Sequence, residues 1–395
     1  MQCRACGNGG LSEFLNLGNM PLAGGFLRSV DEIKTEQTFP LPVHVCDSCG
    51  LVQIVDPVDP NLLFRDYAFA SSTVGPLVKH FTDYAQWLQD RYQPKLVVEF
   101  GCNDGILLAP LDRLGIKAVG VDISENITDL ARAKGLKVVT GYFNQETAES
   151  IVAQYGRCDV VTGSNAFAHN ARPELILEGA ARCLNDDGVV VLEVMYAGDL
   201  RDKLQWDTLY HEHLTFYSLG TMEALLGRHG FRVFDAVRLP MHGGSLRVSA
   251  SRASRPATAD YDVVKTFETA TKLNAPQTWM AFGQRIGRTI AVVGNTLGAL
   301  AKSKRIWAYG AAGKATLWLN ACHMDFLEAI VDESPLRAGR LMPGTHTPIV
   351  FPAKFKEDPP DYVFVTAWNY ADVISAKENW FSGIWVTPLP DMRLF

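Results

Sequence analysis

The chain has no uninterrupted apolar run long enough to cross a bilayer, and it has no excess of basic residues. Its 37 lysines and arginines are outnumbered by 43 acidic residues, which gives a net charge of −6 at pH 7. Nucleic-acid-binding proteins need a basic surface instead. The opening residues, Met-Gln-Cys-Arg, do not resemble a secretory signal. We therefore expect a cytoplasmic protein with no membrane and no nucleic-acid partner.

Cysteine is scarce, with eight residues in 395, but half of the cysteines lie in two C-x-x-C pairs. Two intervening residues let both sulfurs of a pair point at one ion, and tetrahedral zinc is bound by two such pairs. Four thiolates leave no open position for catalysis, so we expect a structural zinc ion. The predicted ligands are Cys3, Cys6, Cys46 and Cys49. The remaining cysteines lie in apolar segments and are predicted only to pack: Cys102, Cys158, Cys183 and Cys322.

The length and the order of the strand and helix signals predict an α/β protein of three parts, because one hydrophobic core does not serve 395 residues. We place a zinc-binding domain at 1–72, a larger doubly wound domain at 73–275 and a smaller Rossmann-like domain at 276–395. The hairpin of residues 231–238 and 245–251 is predicted to close the larger sheet with one antiparallel strand.

The segment Leu96–Gly105, LVVEFGCNDG, reads as a strand buried on both faces, a glycine turn and the start of a helix. Asn103 occupies the position where a dinucleotide-binding turn would have a second glycine, so a ligand without phosphates at the turn is favoured. Glu99 suits an ammonium group, and Asp122 ends the next strand, where an acid hydrogen-bonds a ribose diol. S-adenosylmethionine combines these groups.

The pattern resembles the signature of class I methyltransferases, which implies an S-adenosylmethionine site at the carboxyl ends of the strands. An ordinary strand–helix turn followed by a chance acid remains the alternative. The residues assigned to the cofactor are Glu99, Gly101, Asn103, Asp104, Gly105, Asp122, Ile123, Tyr142, Phe143 and Asn165.

The run Asp207–Tyr217 concentrates two histidines, two carboxyl groups and aromatic residues. Its order is not that of a zinc protease, because His211 and His213 are two residues apart and would not share one helix face. An acid–base cluster therefore fits better than a metal site. A satisfied polar cluster in a loop is the alternative.

These features together resemble the zinc-containing sugar C-methyltransferases that act on nucleotide-linked 4-keto-deoxysugars. The resemblance is carried by the two cysteine pairs, by Tyr-His-Glu-His at 210–213 and by His-Gly-Gly-Ser at 242–245, and it extends over all three parts. Gly24 departs from it, since the family usually has asparagine there. The resemblance implies that His213 is a general base that forms an enolate, and that Tyr210, Glu212 and His169 are active-site groups.

Substrate-binding residues are implied in the same way, in loops of all three parts. They are Tyr67, Phe69, Ser71, Ser72, His242, Gly243, Gly244, Lys314, His346, Trp368 and Asn369. Packing of an aromatic linker and ordinary turn chemistry are the alternatives for these loops.

We thus expect an S-adenosylmethionine-dependent C-methyltransferase acting next to a ketone, most simply of a dTDP-linked 4-keto-deoxysugar, as a monomer or weak dimer. Three alternatives stay open at this point. The methyl acceptor could be another small molecule, the enzyme could be a nicotinamide-dependent sugar oxidoreductase, or the chain could be a zinc-ribbon module that binds nucleic acid or protein. The second is disfavoured by Asn103, and the third by the acidic balance of the chain.

Overall fold

A computed structural model describes residues 2–64 and 70–395, and three β-sheets organise it. The first sheet has four antiparallel strands in the order β1-β2-β3-β9. Their bounds are β1 (Leu11–Pro21), β2 (Thr38–Cys46), β3 (Val52–Ile54) and β9 (Thr215–Phe216). The last strand comes from the middle of the chain, so the cysteine-rich sheet is completed by a distant segment.

The second sheet has seven strands in the order β10-β11-β8-β7-β4-β5-β6. Its strands are β4 (Leu96–Phe100), β5 (Lys117–Asp122), β6 (Val138–Thr140), β7 (Cys158–Ser164), β8 (Leu184–Met195), β10 (Arg232–Leu239) and β11 (Ser245–Ser251). Strand β11 runs antiparallel to both of its neighbours, whereas the pairs from β8 to β6 are parallel. The predicted closing hairpin is confirmed.

Helices cover this sheet, as expected for strands that are apolar on both faces. They are α1 (Pro60–Phe64), α2 (Gly75–Tyr92), α3 (Leu108–Arg113), α4 (Glu125–Ala133), α5 (Gln145–Tyr155), α6 (Pro173–Cys183), α7 (Ala197–Asp202), α8 (Leu219–Arg228) and α9 (Ala259–Ala270). The chain moves outward from β4 to β6 and then returns to β7 on the other side of β4. This reversal creates a crevice at the carboxyl ends of β4 and β7, where open sheets of this kind bind their ligands.

The third sheet has the order β14-β13-β12-β15-β16-β17 and is parallel except for its last strand. Its strands are β12 (Ile306–Tyr309), β13 (Ile330–Val331), β14 (Ile349–Val350), β15 (Tyr362–Val365), β16 (Ile384–Thr387) and β17 (Arg393–Leu394). The accompanying helices are α10 (Pro276–Leu300), α11 (Gly313–Ala321), α12 (Pro352–Glu357) and α13 (Ala371–Lys377).

The predicted architecture is therefore confirmed: a cysteine-rich module, a methyltransferase-type Rossmann-like sheet and a smaller Rossmann-like sheet. The boundaries proposed at 72/73 and 275/276 remain predictions. Within the two described ranges, no helix combines the length and the apolar character needed to cross a membrane.

Short 3-10 helices connect the larger elements and carry several of the predicted site residues. They cover Val30–Thr35, Ser71–Thr73, Phe167–His169, Trp206–Thr208, Met241–Gly243 and Trp368–Tyr370.

Candidate active site

The four predicted zinc ligands come together. Their sulfur atoms all lie within 4.8 Å of one another, with 3.6 Å between Cys3 and Cys49 and 3.6 Å between Cys6 and Cys46. A tetrahedral ion with Zn–S bonds of about 2.3 Å places its sulfurs about 3.8 Å apart, so the cluster fits zinc closely. All four positions are filled by thiolates, which suits a structural ion.

The glycine turn after β4 is shaped by close backbone contacts. Gly101 has φ +65°, and a Cβ there would lie 2.3 Å from the Cβ of Ala166. The backbone N–H groups of Asn103 and Ser124 each donate to one carboxylate oxygen of Asp122 at 3.0 Å. Asp122 therefore holds the turn in place, and each of its oxygens keeps a further lone pair for a ligand hydroxyl.

Three buried polar atoms face the crevice ends of β4 and β7 without a hydrogen-bond partner in the described residues. They are Oε2 of Glu99, Oγ of Ser164 and Oδ1 of Asn165. Burial, followed by the charge of Asp122, raises the pKa of Glu99 well above its usual value. Buried acceptors left unpaired are costly unless a ligand satisfies them. An ammonium group at this position would supply donors and restore the carboxylate of Glu99.

The other residues assigned to the cofactor have mixed surroundings. Asp104 accepts from Ser72 and pairs with Lys134 at 3.0 Å. Phe143 stacks on Phe100 in the core, with 5.8 Å between the ring centroids, whereas Tyr142 is 50% exposed. Gly105 has φ +81° in the turn, and Ile123 is half-buried directly after β5.

Ser71 and Ser72, which are predicted to bind the substrate, form hydrogen bonds with residues of the glycine turn. The N–H of Ser71 donates to Oδ1 of Asn103 at 2.8 Å, and Ser72 donates to Asp104. Tyr67 and Phe69 lie outside the described residues.

His213 is held in a defined tautomer. Its Nδ1 lies 2.8 Å from the backbone carbonyl oxygen of Thr208, and a carbonyl only accepts, so Nδ1 carries the proton. The lone pair of the neutral ring is therefore on Nε2. The ring packs 4.3 Å from that of Tyr210 and 5.1 Å from that of His169, measured between centroids.

Burial sets the charge of these groups. It lowers the pKa of His213 to about 4 and that of His169 to about 3, so both rings are neutral at pH 7. Burial also raises the pKa of Glu212 to about 7. Both imidazoles can therefore accept a proton at pH 7, although the lowered pKa makes each a weaker base than a free histidine, and the carboxyl of Glu212, next to His213 in sequence, exchanges protons near neutrality.

His211 serves another purpose. Its Nε2 lies 3.2 Å from the carbonyl oxygen of Phe39 and 3.3 Å from that of Pro40, so it joins the run 207–217 to β2 of the first sheet. The two histidines of the run point to different parts of the molecule, whereas an extended segment would put residues two apart on the same face. A turn at His211 and Glu212, closed by the hydrogen bond from the His213 N–H to the carbonyl of Tyr210 at 2.9 Å, separates them.

The third sheet contributes Lys314 and Trp368. A Cβ at Gly313 would lie 3.6 Å from the hydroxyl of Tyr210, so the start of α11 touches the histidine cluster. The ammonium of Lys314 lies 5.0 Å from the centroid of the Trp368 ring, a cation–π contact. No ion-pair partner for Lys314 occurs in the ranges 2–64 and 70–395.

Asp207 is a site residue that the sequence did not single out. It is fully buried, and its Oδ2 accepts from the indole N–H groups of Trp318 at 3.1 Å and Trp368 at 2.7 Å. Burial raises its pKa, and the charge of Lys314 opposes that rise. Both indoles are more than a hundred positions away in sequence, so no local motif marks this residue.

Among the remaining predicted substrate residues, His242 lies close enough to His213 for its charge to add to burial in lowering the pKa of His213. His242 has φ +53° in the loop before β11, where Gly243 accepts from Gln205 at 2.9 Å and Gly244 packs against Asp199. His346 is paired with Glu36 at 2.7 Å, and Asn369 is exposed.

Comparison with known proteins finds similarity along the entire chain. The C-methyltransferase NovU of Streptomyces niveus is 32% identical over an alignment that covers 100% of this chain and 96% of NovU. The chain belongs to the C-methyltransferase family.

Three family models match successive stretches of this C-methyltransferase, and the limit between the second and the third falls inside the seven-stranded sheet, at the end of β10 and before β11. The "Putative zinc binding domain" matches residues 3–64, the "Methyltransferase domain" matches 78–236 and the "C-methyltransferase C-terminal domain" matches 240–390. The C-methyltransferase is therefore an S-adenosylmethionine-dependent enzyme with a zinc-binding domain built on four cysteines. The oxidoreductase and zinc-ribbon alternatives are excluded.

More distant relatives match only part of the C-methyltransferase. A ubiquinone biosynthesis O-methyltransferase of Chelativorans sp. is 30% identical over 24% of this chain and 38% of its own length. The solved magnesium protoporphyrin IX methyltransferase of Synechocystis PCC 6803 with bound S-adenosylmethionine superimposes with a TM-score of 0.34, at 18% identity, over 45% of this chain and 79% of its own. Likeness at that level adds nothing to the family assignment.

Proposed function

We propose that this C-methyltransferase methylates the carbon next to the keto group of a nucleotide-linked sugar, a dTDP-linked 4-keto-deoxysugar, through an enolate formed by His213. The observation that carries the proposal is the hydrogen bond from Nδ1 of His213 to the carbonyl of Thr208, at 2.8 Å. It puts the proton of the neutral ring on Nδ1 and leaves the basic lone pair on Nε2. Saturated carbon next to a ketone is not nucleophilic until such a base removes its proton.

The proposed step is a proton transfer followed by methyl transfer. Nε2 of His213 takes the proton from the carbon, and the electron pair of the C–H bond moves to the keto oxygen. We assign the stabilisation of the negative charge on that oxygen to Tyr210 and His169, whose ring centroids lie 4.3 Å and 5.1 Å from that of His213. S-adenosylmethionine, when bound, would supply an electrophilic methyl group to the enolate carbon, with S-adenosylhomocysteine as the leaving group.

Two further groups support the same chemistry. Glu212, with a pKa of about 7, both gives and takes protons at neutral pH, so we assign it to removing the proton that His213 acquires. Lys314 is half-buried near the start of α11, which touches the histidine cluster. Its ammonium suits an anionic part of the acceptor, such as the diphosphate of a nucleotide sugar. The chemistry of Lys314 is the argument for a nucleotide-linked acceptor.

Solvent exchange tests the proton transfer separately from methylation. S-adenosylhomocysteine replaces the methyl donor, and the wild-type enzyme is incubated in D₂O with a dTDP-linked 4-keto-deoxysugar. We expect deuterium to enter the carbon next to the ketone, because the enolate forms without a methyl group to capture. The His213→Asn variant should lose both exchange and methylation, since an amide is not basic. Tyr210→Phe should slow exchange by about 10²–10³-fold.

The matched control is His211→Asn, two positions away. His211 bonds the carbonyls of Phe39 and Pro40, so its loss should reduce stability and leave exchange measurable. Methylation at the wild-type rate by His213→Asn would show that His213 is not the base. Methylation of the sugar on oxygen by the wild type would identify a different acceptor atom.

A further inference from the structure

Arg4 stands between two zinc ligands, Cys3 and Cys6, but its side chain leaves the cysteine cluster. Nη1 donates to the carbonyl of Ile54 at 2.6 Å, Nη2 to that of Val55 at 3.1 Å and Nε to that of Ala171 at 3.2 Å. The planar guanidinium thus bridges the end of β3 to a loop of the methyltransferase sheet.

The carbonyls that Arg4 holds lie in the segment that follows His169 and at the end of β3, which is hydrogen-bonded to the segment that follows His213. Ala171 follows His169 by two positions. Ile54 donates its N–H to the carbonyl of Leu214 at 3.0 Å, directly after His213. Leu214 in turn donates to the carbonyl of Ala168 at 3.0 Å.

The hydrogen bonds form a closed circuit. From the guanidinium, one path runs through Ile54 and Leu214 to the segment of His213, and the other runs through Ala171 to the segment of His169. The link between Leu214 and Ala168 closes it, and Thr215 adds a second donor to Ala168 at 3.3 Å. Displacement of the guanidinium would therefore disturb the hydrogen bonds that lead to the segment of His213 and to the segment of His169.

We propose that Arg4 is a positioning residue that fixes the spacing of His169 and His213 relative to the zinc-binding cysteines. It touches neither substrate nor donor. Its contribution to the reaction rests on the proposed role of His213, whereas its effect on the two imidazoles does not. The zinc domain then orders the base of another domain as well as its own fold.

The variant Arg4→Met keeps the length of the side chain and removes all of its donors. Arg228→Met is the matched control, because Arg228 donates to the carbonyl of Ala5 at 2.8 Å, in the same cysteine loop, from α8. That contact leads to neither histidine segment. Zinc content is measured in both variants by elemental mass spectrometry, and S-adenosylmethionine affinity by calorimetry.

The decisive readout needs no substrate. Imidazole NMR signals of ¹⁵N-histidine-labelled full-length protein are assigned with His169→Asn and His213→Asn. We expect Arg4→Met to retain about one zinc per chain and donor affinity, and to shift the signals of His169 and His213. It should lower kcat for deuterium exchange by about 10- to 100-fold with little change in KM, as loss of outer-shell partners does. Arg228→Met should neither shift the signals of His169 and His213 nor lower kcat for deuterium exchange.

Unchanged imidazole signals in Arg4→Met overturn the proposal, as do equal shifts in Arg228→Met, which would indicate a general loosening of the cysteine loop. Shifted imidazole signals together with an unchanged rate of deuterium exchange support the positioning role of Arg4 and refute His213 as the base. If Arg4→Met loses zinc, Arg4→Lys replaces it. A single ammonium cannot reach three carbonyls in a planar fork, so the same shifts are expected, and their absence overturns the proposal.

Discussion

Glu212 should lower the stability of this enzyme above neutral pH. Burial raises the pKa of its carboxyl from 4.5 to about 7. Below pH 4.5 the folded and the unfolded chain both hold the proton, and no difference arises. Between pH 4.5 and 7 the unfolded chain releases it while the folded chain retains it, so the free energy of unfolding falls as pH rises. The fall is complete above pH 7 and amounts to about 3 kcal/mol for the raised pKa.

The perturbation is Glu212→Gln, which keeps the shape of the side chain and removes the titration. The free energy of unfolding of the wild type and the variant is measured by urea denaturation from pH 5 to pH 9. Their difference isolates this carboxyl from all other titrating groups. We expect the free energy of unfolding of the variant to rise relative to that of the wild type as pH rises, by about 2–3 kcal/mol in total. The difference should then be constant at higher pH. Methylation by the variant should be impaired.

The control is Glu149→Gln, whose carboxyl is exposed, accepts from Gln145 and pairs with Arg182, and whose pKa is lowered by these contacts. Its contribution has the opposite sign and changes only below pH 4.5, so the difference between the wild type and that variant should stay nearly constant from pH 5 to pH 9. A difference between wild type and Glu212→Gln that does not change with pH would refute the reasoning. It would mean that the carboxyl is solvated or paired in the folded enzyme.

Two further predictions concern the ligands. Purified enzyme should contain about one zinc per chain, and Cys46→Ser should lose zinc and thermal stability, measured by elemental analysis and calorimetry; zinc retained at full stoichiometry would contradict the four-cysteine site. Asp122→Ala should weaken S-adenosylmethionine binding about tenfold or more, because hydrogen bonds to a charged group contribute about 1.5–3 kcal/mol each and the variant loses those that hold the glycine turn. Unchanged donor affinity in titration calorimetry would place the donor elsewhere.

The features predicted from the sequence are those encoded by residues close together in the chain. The C-x-x-C pairs, the turn at Gly101–Gly105 and the acid after the next strand each need only a short segment and a standard geometry. The alternation of strands and helices then limits the sheet to few arrangements. The fold could be predicted for that reason, and the cysteine cluster with it.

The features that the sequence did not indicate depend on distant partners. Asp207 is distinguished only by indoles of another domain, and Arg4 only by carbonyls of β3 and of the loop after His169. The surroundings of Phe143 are similar in kind: an aromatic residue after β6 has the same sequence signature whether it meets a ligand or, as here, stacks on Phe100. The roles assigned to the individual site residues remain predictions.

Strand β9 has a consequence for the construction of chimaeric enzymes from this family. Because Thr215 and Phe216 pair with Gln53 and Val52, the first sheet is finished by the segment that follows His213. A foreign zinc domain fused at residue 72 would have to accept a strand that evolved with another sheet, and its fit there would determine the position of His213. Chimaeras that exchange residues 1–72 together with residues 207–217 keep β9 paired with the β3 of its own parent enzyme. Specificity engineering should therefore treat these two separated segments as one exchangeable block.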